Sequence, residues 1–397
     1  MIFKLTFNTL ILAMLLGSIV NFASAGFGEN SPPAPQATPA QAEGSFGDVP
    51  YLDQAFIDAT PDDRKDAIAV GELGIDGGNK DMILKLAREI AEGKHDRIDS
   101  LLIAHKDKLL FESYYLRGRI NLPHPQASTT KAYVGLAIGR GIQLGHLTMA
   151  DLDKPLVSFL NDLDPIKLTA GAERITLHKA MTMRSGIRID RDKMEELRKN
   201  PSQFKGQGLV QTYLEHSEPI TPKTQTFLYR YIDPSMVMQV LDAVVPGTAK
   251  AFIKNELLDQ MGIVDYRWRE DISGLPRGGS GASMTSRAML KWGLLAMNKG
   301  KWQGRQLVPE AFIAKATSKM VQPDADKIAT AEEITATSYG YFWWLDDMKV
   351  GQGHYLSKSA QGGGGQFIIV MDAFDLIVVV TAHQKKFNYG TLTLVAK

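Results

Sequence analysis

The stretch His124 to Tyr133, "HPQASTTKAY", decides how the rest of the chain is read. Pro125 favours extended backbone at the residue before it. Beyond Lys131 the positions Val134, Ala137, Ile138 and Gly141 fall into one helical stripe. Ser128 therefore lies at a helix start, and Lys131, three residues on, shares its face. Two readings compete. Ser and Thr are favoured helix caps. A serine beside a base is also an activated nucleophile, because its hydroxyl attacks a carbonyl at neutral pH only with help. Lysine can give that help when burial or a positive neighbour lowers its pKa. The helix start adds positive potential and free N–H groups where an oxyanion would form.

Two later stretches bear on the choice. In "FLYRYIDPSMVMQVLDAVVPGT", Tyr229 precedes a helical pattern carried by Met236, Val237, Val240, Leu241 and Val244. A tyrosine hydroxyl can relay a proton, although a single tyrosine is more commonly a half-buried core residue. In "SAQGGGGQFIIV", the run Gly362 to Gly365 leads into a strand. Such a run lets backbone approach a ligand closely, or simply starts a bulged strand. Neither a Gly-Lys-Ser/Thr nor a helical pattern follows it, which argues against a nucleotide loop.

Apolar runs on either side of Lys106-Asp107-Lys108 predict a hairpin, and "QFIIVMDAFDLIVVVTA" predicts another that turns near Asp372 to Asp375. Before them, "DMILKLAREIAEG" places Met82, Ile83, Leu86 and Ile90 on one helical face, with Gly93 as a stop. Strands at both ends with a mostly helical middle predict an α+β fold, one antiparallel sheet built from both chain ends. The expected organisation is a sheet domain from residues 81–125 and 270–397 and a helical domain at 126–269. Residues 26–80 are expected to be a lead-in that begins with a disordered, Pro/Ala/Gln-rich linker.

At the start, Lys4, the apolar run "LILAMLLGSIV" and Ala23-Ser24-Ala25 form a secretory signal pattern over residues 1–25, with cleavage before Gly26. The expectation is export to the periplasm or medium with no stable membrane anchor after cleavage. A net charge of +1 gives no bulk reason to bind nucleic acid. With no cysteine, disulfides, thiolate metal sites and a cysteine nucleophile are excluded.

Taken in order, Ser-x-x-Lys at a helix start, a tyrosine motif in a helical insert and a glycine-rich strand resemble the penicillin-recognising serine hydrolases. The resemblance is greatest to the class C β-lactamase-related branch, with 6-aminohexanoate-dimer hydrolase and family VIII carboxylesterases. It extends from about residue 81 onward and includes "ITLHKAMTMRSGI" and "YGYFWWLDD". The resemblance implies a β-lactamase/D-D-peptidase-like fold with Ser128 as acyl-forming nucleophile, Lys131 as its base and Tyr229 as proton shuttle. It implies an oxyanion hole made by the backbone N–H groups of Ser128 and Gly363. Gly362, Tyr231 and Asp233 are candidates for the substrate pocket; His124 is one as well, although a structural or exposed histidine is the stronger reading because no ligand-spaced partner accompanies it.

Two departures stand out. The third position of the tyrosine motif is Tyr231 rather than Asn, with Asp233 two residues on. The usual Lys-Thr-Gly or His-Thr-Gly is Ala360-Gln361-Gly362, so the cation that would hold a penicillin carboxylate is missing; Lys358 and His354 are the nearest in sequence. No histidine has ligand spacing, so no metal or cofactor is expected. His383 would need an acid partner to form a triad with Ser128, and none is identifiable. Trp343 and Trp344 read as core, and Arg184 as a residue at the site's edge. The expected function is ester or amide hydrolysis of a small molecule through an acyl-enzyme. A penicillin-binding protein or β-lactamase is the alternative within the class, and a catalytically weak binding protein the alternative outside it. Substrate identity and oligomeric state are not set by these residues.

Overall fold

The computed structural model describes residues 33–324 and 333–385, and the elements that follow lie in the unit beginning at Ala34. The signal pattern at residues 1–25 lies outside the described residues.

Packing begins earlier than composition predicts. Thr38 caps helix α1 (Pro39–Glu43) and Gln41 closes a capping box. Ala37 and Val49 are buried with Leu122. The Asn121 amide both accepts from the Ala37 N–H (2.7 Å) and donates to the Ala37 carbonyl (3.2 Å). The expected linker is thus held from residue 34 by polar groups reaching its backbone, which its apolar content does not reveal. The same lead-in supplies strands β1 (Phe56–Asp58) and β2 (Ala69–Val70) to the sheet.

Helix α2 (Lys80–Ala91) follows, capped by Asn79. Its buried positions are Leu84, Ala87 and Ile90, whereas Met82 of the expected stripe is 53% exposed. Strands β3 (Ile98–His105) and β4 (Lys108–Tyr114) form the expected hairpin. Its turn residues Lys106 and Asp107 both have positive φ (48° and 63°), as a tight two-residue turn requires.

The middle of the chain is helical: α3 (Thr130–Gln143), α4 (Leu177–Met181), α5 (Arg191–Arg198), α6 (Gly208–Glu215), α7 (Ile232–Val244), α8 (Ala249–Ile253), α9 (Ser286–Met297) and α10 (Glu310–Ala316). A small sheet joins β5 (His124–Pro125), β7 (Ala282–Met284) and β6 (Tyr266–Trp268), and β8 (Lys301–Trp302) pairs with β9 (Arg305–Gln306). The chain then completes the main sheet with β10 (Ile334–Tyr339), β11 (Trp344–Val350), β12 (Gly353–Gly362), β13 (Gln366–Met371) and β14 (Leu376–Ala382).

The main sheet runs β1-β4-β3-β14-β13-β12-β11-β10, antiparallel along this path, with β2 parallel to β4. Strand β14 lies beside β3, from Leu376↔His105 to Ala382↔Ile98, so the sheet joins distant parts of the chain as expected. One face packs on helices. Helix α9 crosses β13 and β14 closely at Gly293, where an added Cβ would lie 2.8 Å from Ile377. Ile368, Val370, Ile377 and Val379 enter that larger core, while Phe367, Ile369, Val378 and Val380 face α2 and its neighbours.

Candidate active site

Ser128 sits in a single 3-10 turn, Ala127–Thr129, that runs straight into α3. The preceding residue, Ala127, has φ +45°, a left-handed conformation uncommon for alanine. Its carbonyl accepts from the Thr130 hydroxyl (2.7 Å), and that hydroxyl accepts from the Ala282 N–H (3.2 Å). Gln126 anchors the other side. Its N–H donates to the Ala282 carbonyl (2.9 Å), and its side-chain oxygen accepts from the Tyr133 hydroxyl (3.1 Å). The turn is thus clamped between β7 and its own helix, with Ser128 half-buried at its apex.

The i,i+3 spacing does what it predicts. Lys131 Nζ lies 2.7 Å from Ser128 Oγ and 2.8 Å from the Gly279 carbonyl. It also stands 4.6 Å from the centroid of the Tyr229 ring. Lys131 is 3% exposed, and burial pulls its pKa from 10.5 down to about 7. At neutral pH a substantial fraction is therefore the free amine. A free amine in this position can donate one hydrogen to Gly279 and turn its lone pair toward Ser128. That carbonyl is a component of the site with no residue-type signature.

Tyr229 is brought to the same place. Its residue surface is 36% exposed but its hydroxyl is buried, and burial pushes the phenol up to about 12, against hydrogen bonds with Ser128 and Trp344 that lower it. The phenol thus keeps its proton at neutral pH and is suited to give one up to a leaving group. Trp344 was expected only as core. Its ring centroid lies 5.3 Å from that of Tyr229, and Tyr339 and Phe227 complete an aromatic cluster around them. In strand register, Trp344 pairs with Ser359, next to Ala360.

The glycine run closes the site from the other side. An added Cβ on Gly362 would lie 2.3 Å from the Gln126 carbonyl and 2.8 Å from Thr129 Oγ1, so only glycine fits where β12 passes the serine turn. An added Cβ on Gly363 would meet nothing within 4 Å, so this residue borders open space at the end of β12.

Other candidates go elsewhere. His124 is buried, with Nε2 2.9 Å from Asp99, and belongs to the scaffold rather than to a pocket. This is the structural reading of His124, and its nearness in sequence to Ser128 brings it no contact there because β5 turns its side chain toward Asp99 of β3. Asp233 is fully buried; it accepts from the Ser185 N–H (3.0 Å) and from Arg230 (2.9 Å), which removes it from the pocket as well. Tyr231 is 42% exposed and lines a cavity. His383 has the acid partner that the sequence did not reveal, but not the serine. Its Nδ1 lies 2.8 Å from Asp99, and its Nε2 lies 3.0 Å from the Tyr51 hydroxyl. Burial pushes the Asp99 carboxyl up, yet hydrogen bonds from His124 and His383 outweigh it and hold it below the usual range.

Arg184 is engaged by Thr182 and His178. Neither cation near the altered strand triad takes the missing place: Lys358 pairs with Asp372, and His354 approaches Thr335 (3.4 Å). Gln361 donates to Asp346 (3.0 Å) and to Ser359 (2.8 Å). Burial raises that Asp346 carboxyl to about 6.

Among the described residues no cluster of His, Asp or Glu could hold a metal ion, and no single helix is long and apolar enough to cross a membrane. A cavity of about 380 Å³ between α2 and β3/β14 is lined by apolar side chains, apart from Asn79 and His105, and holds none of the groups above.

The arrangement has counterparts. A family model described as Beta-lactamase matches residues 87–392. An uncharacterized protein of Alkalihalophilus pseudofirmus is 20% identical over 328 residues, covering 73% of this chain and 86% of its own. Among solved structures, a family VIII carboxylesterase superposes with a TM-score of 0.60 at 13% identity, covering 80% of this chain and 96% of that one. A class C beta-lactamase gives 0.59 at 13% identity, covering 80% and 94%. At such identities the likeness is one of fold.

Proposed function

The chain belongs to the beta-lactamase family of serine hydrolases, and from that premise we propose that it cleaves an ester or amide of a small molecule through a covalent acyl-enzyme. The observation that carries the reading is the contact of Lys131 Nζ with Ser128 Oγ at 2.7 Å, made by a lysine that burial has brought to about 7. Free Lys131 takes the hydroxyl proton as Ser128 Oγ bonds to the carbonyl carbon. The oxyanion that forms is directed to the N–H groups of Ser128 and Gly363. As the tetrahedral carbon collapses, the bond to the leaving oxygen or nitrogen breaks, and Tyr229 gives that atom its proton. Lys131 then returns a proton to Tyr229. Water attacks the acyl-serine and gives a proton to the same base system, which passes it to Ser128 Oγ as the acyl carbon–Oγ bond breaks and the acid leaves.

None of these steps needs a cation at the strand triad. Ala360 offers none, and Gln361 is spent on Asp346 and Ser359. This supports a carboxylesterase or amidase over a penicillin-directed enzyme. The pattern Lys4, "LILAMLLGSIV" and Ala23-Ser24-Ala25 supports export, and a mature N-terminus at Gly26 by mass spectrometry would test it.

The deciding experiment is labelling with a fluorophosphonate, together with turnover of short nitrophenyl esters and of nitrocefin. The expected outcome is labelling and ester turnover in the wild type, both lost in Ser128→Ala. A folded wild type that resists the label would overturn the hydrolase reading. Fast nitrocefin turnover without esterase activity would overturn the preference for esters and amides.

A further inference from the structure

A cavity of about 410 Å³ adjoins the serine group, a size suited to a small organic ligand. It shares a wall with the site: Gly279, whose carbonyl accepts from Lys131, lines it, as does Tyr231. Buried Phe204, Leu209 and Tyr213 form an apolar lining. Three charges border it: Arg198 at the end of α5, Arg277 and Asp271.

Their contacts leave an imbalance. Arg198 donates to the Tyr231 hydroxyl (2.6 Å), its guanidinium 5.7 Å from the ring centroid. Arg277 Nε donates to the Glu270 carbonyl (3.1 Å). Asp271 accepts from the Ser273 N–H (2.8 Å) and hydroxyl (2.6 Å). The arginines thus have neutral partners and the aspartate is tied locally, so two positive charges and one negative leave the border with a single net positive charge. Ser128, Lys131, Tyr229 and Trp344 do not line this cavity, which meets the site at Gly279. On the hydrolase reading the leaving group is taken up at Tyr229, and the cavity behind Gly279 is open to the other arm of the substrate, the acyl chain that stays on the serine.

We propose that the cavity receives an aliphatic acyl chain ending in a carboxylate, held at its far end by Arg198 and Arg277, and this rests on the hydrolase reading above. The substrate class is then the monoesters or monoamides of aliphatic dicarboxylic acids. Apolar lining suits the methylenes, and a guanidinium fork suits the terminal carboxylate.

The test compares kcat/KM for three nitrophenyl esters of similar acyl length: butyrate, hemiglutarate and 4-aminobutyrate. The hemiglutarate is expected to exceed the butyrate by about tenfold, as charge-assisted hydrogen bonds to one carboxylate allow, and the advantage should shrink with added salt. In Arg198→Gln and in Arg277→Gln the hemiglutarate-to-butyrate ratio should fall toward one. Being a ratio, it does not depend on how much of the variant is folded. A wild-type ratio near one, a preference for the aminobutyrate, or a ratio unmoved in both variants would overturn the proposal while leaving the hydrolase reading intact. Failure to turn over any of the three would overturn the proposal alone if the fluorophosphonate still labels Ser128, and both readings if it does not.

Discussion

Replacing Lys131 with methionine separates its chemistry from its packing. The side chain is buried, and methionine fills a similar volume without a charge. A fall in pKa from 10.5 to about 7, at about 1.4 kcal/mol for each tenfold change in proton affinity, amounts to about 5 kcal/mol of disfavoured ammonium. The sign follows from proton counts. Between about pH 7 and 10.5 the unfolded chain holds a proton on this lysine that the folded chain has released. Wild-type stability therefore rises with pH across that window, by up to about 1.4 kcal/mol per pH unit. Lys131→Met has no such group. Relative to the variant, the wild type should gain about 2–3 kcal/mol between about pH 7 and pH 9, measured by urea unfolding in matched buffers. The rate of fluorophosphonate labelling in the wild type should rise about tenfold per pH unit below about 7 and level off above it. In the variant it should fall by about a thousandfold, within the range known for loss of an activating base. Parallel stability curves for the two proteins, or a labelling midpoint near 10, would refute the argument that burial makes this lysine a base.

Tyr229→Phe keeps the ring beneath Lys131 but removes the proton donor. Its kcat should drop about a hundredfold on an anilide and much less on a nitrophenyl ester, whose leaving group needs no proton; equal losses on both would refute the assigned role. Asp99→Ala leaves His124 and His383 without their shared partner and should cost about 3 kcal/mol at neutral pH by chemical denaturation. Because the Asp99 carboxyl is held below its ordinary 3.8, its contribution is present above that value and is lost as pH falls through the depressed pKa. The difference between wild type and variant should therefore close in strong acid.

The parts of this molecule that were legible in the sequence are those carried by local spacing. Ser128 and Lys131 are one helical turn apart, and helix geometry alone sets their contact. The two hairpins declare themselves because short polar turns interrupt continuous apolar runs. Tyr229 and the glycine strand could be placed only by family resemblance, since nothing local ties them to Ser128. What stayed hidden depends on contacts between remote segments. Gly279 acts through a carbonyl that every residue possesses. Trp344 looks like any core indole until β11 sets it beside Tyr229. Asp99 meets His124 and His383 from a different strand, so the acid sought for His383 lies beyond any spacing rule. The early Pro/Ala-rich segment was misjudged because it is held by Asn121 rather than by apolar bulk of its own.

The pairing of β14 with β3 has a consequence for how activity appears in time. A chain extended only as far as Tyr229 already carries the proposed nucleophile, base and acid, but not Gly279, the strand that seats the serine turn or the proposed second oxyanion amide. Strand β12, which ends at Gly362 just before Gly363, reaches the first hairpin only through β13 and β14. Closing contacts of such long sequence separation is slow and comes late. On the proposed reading a growing chain is therefore inert, and competence arrives only when the late strands zip onto the early hairpin.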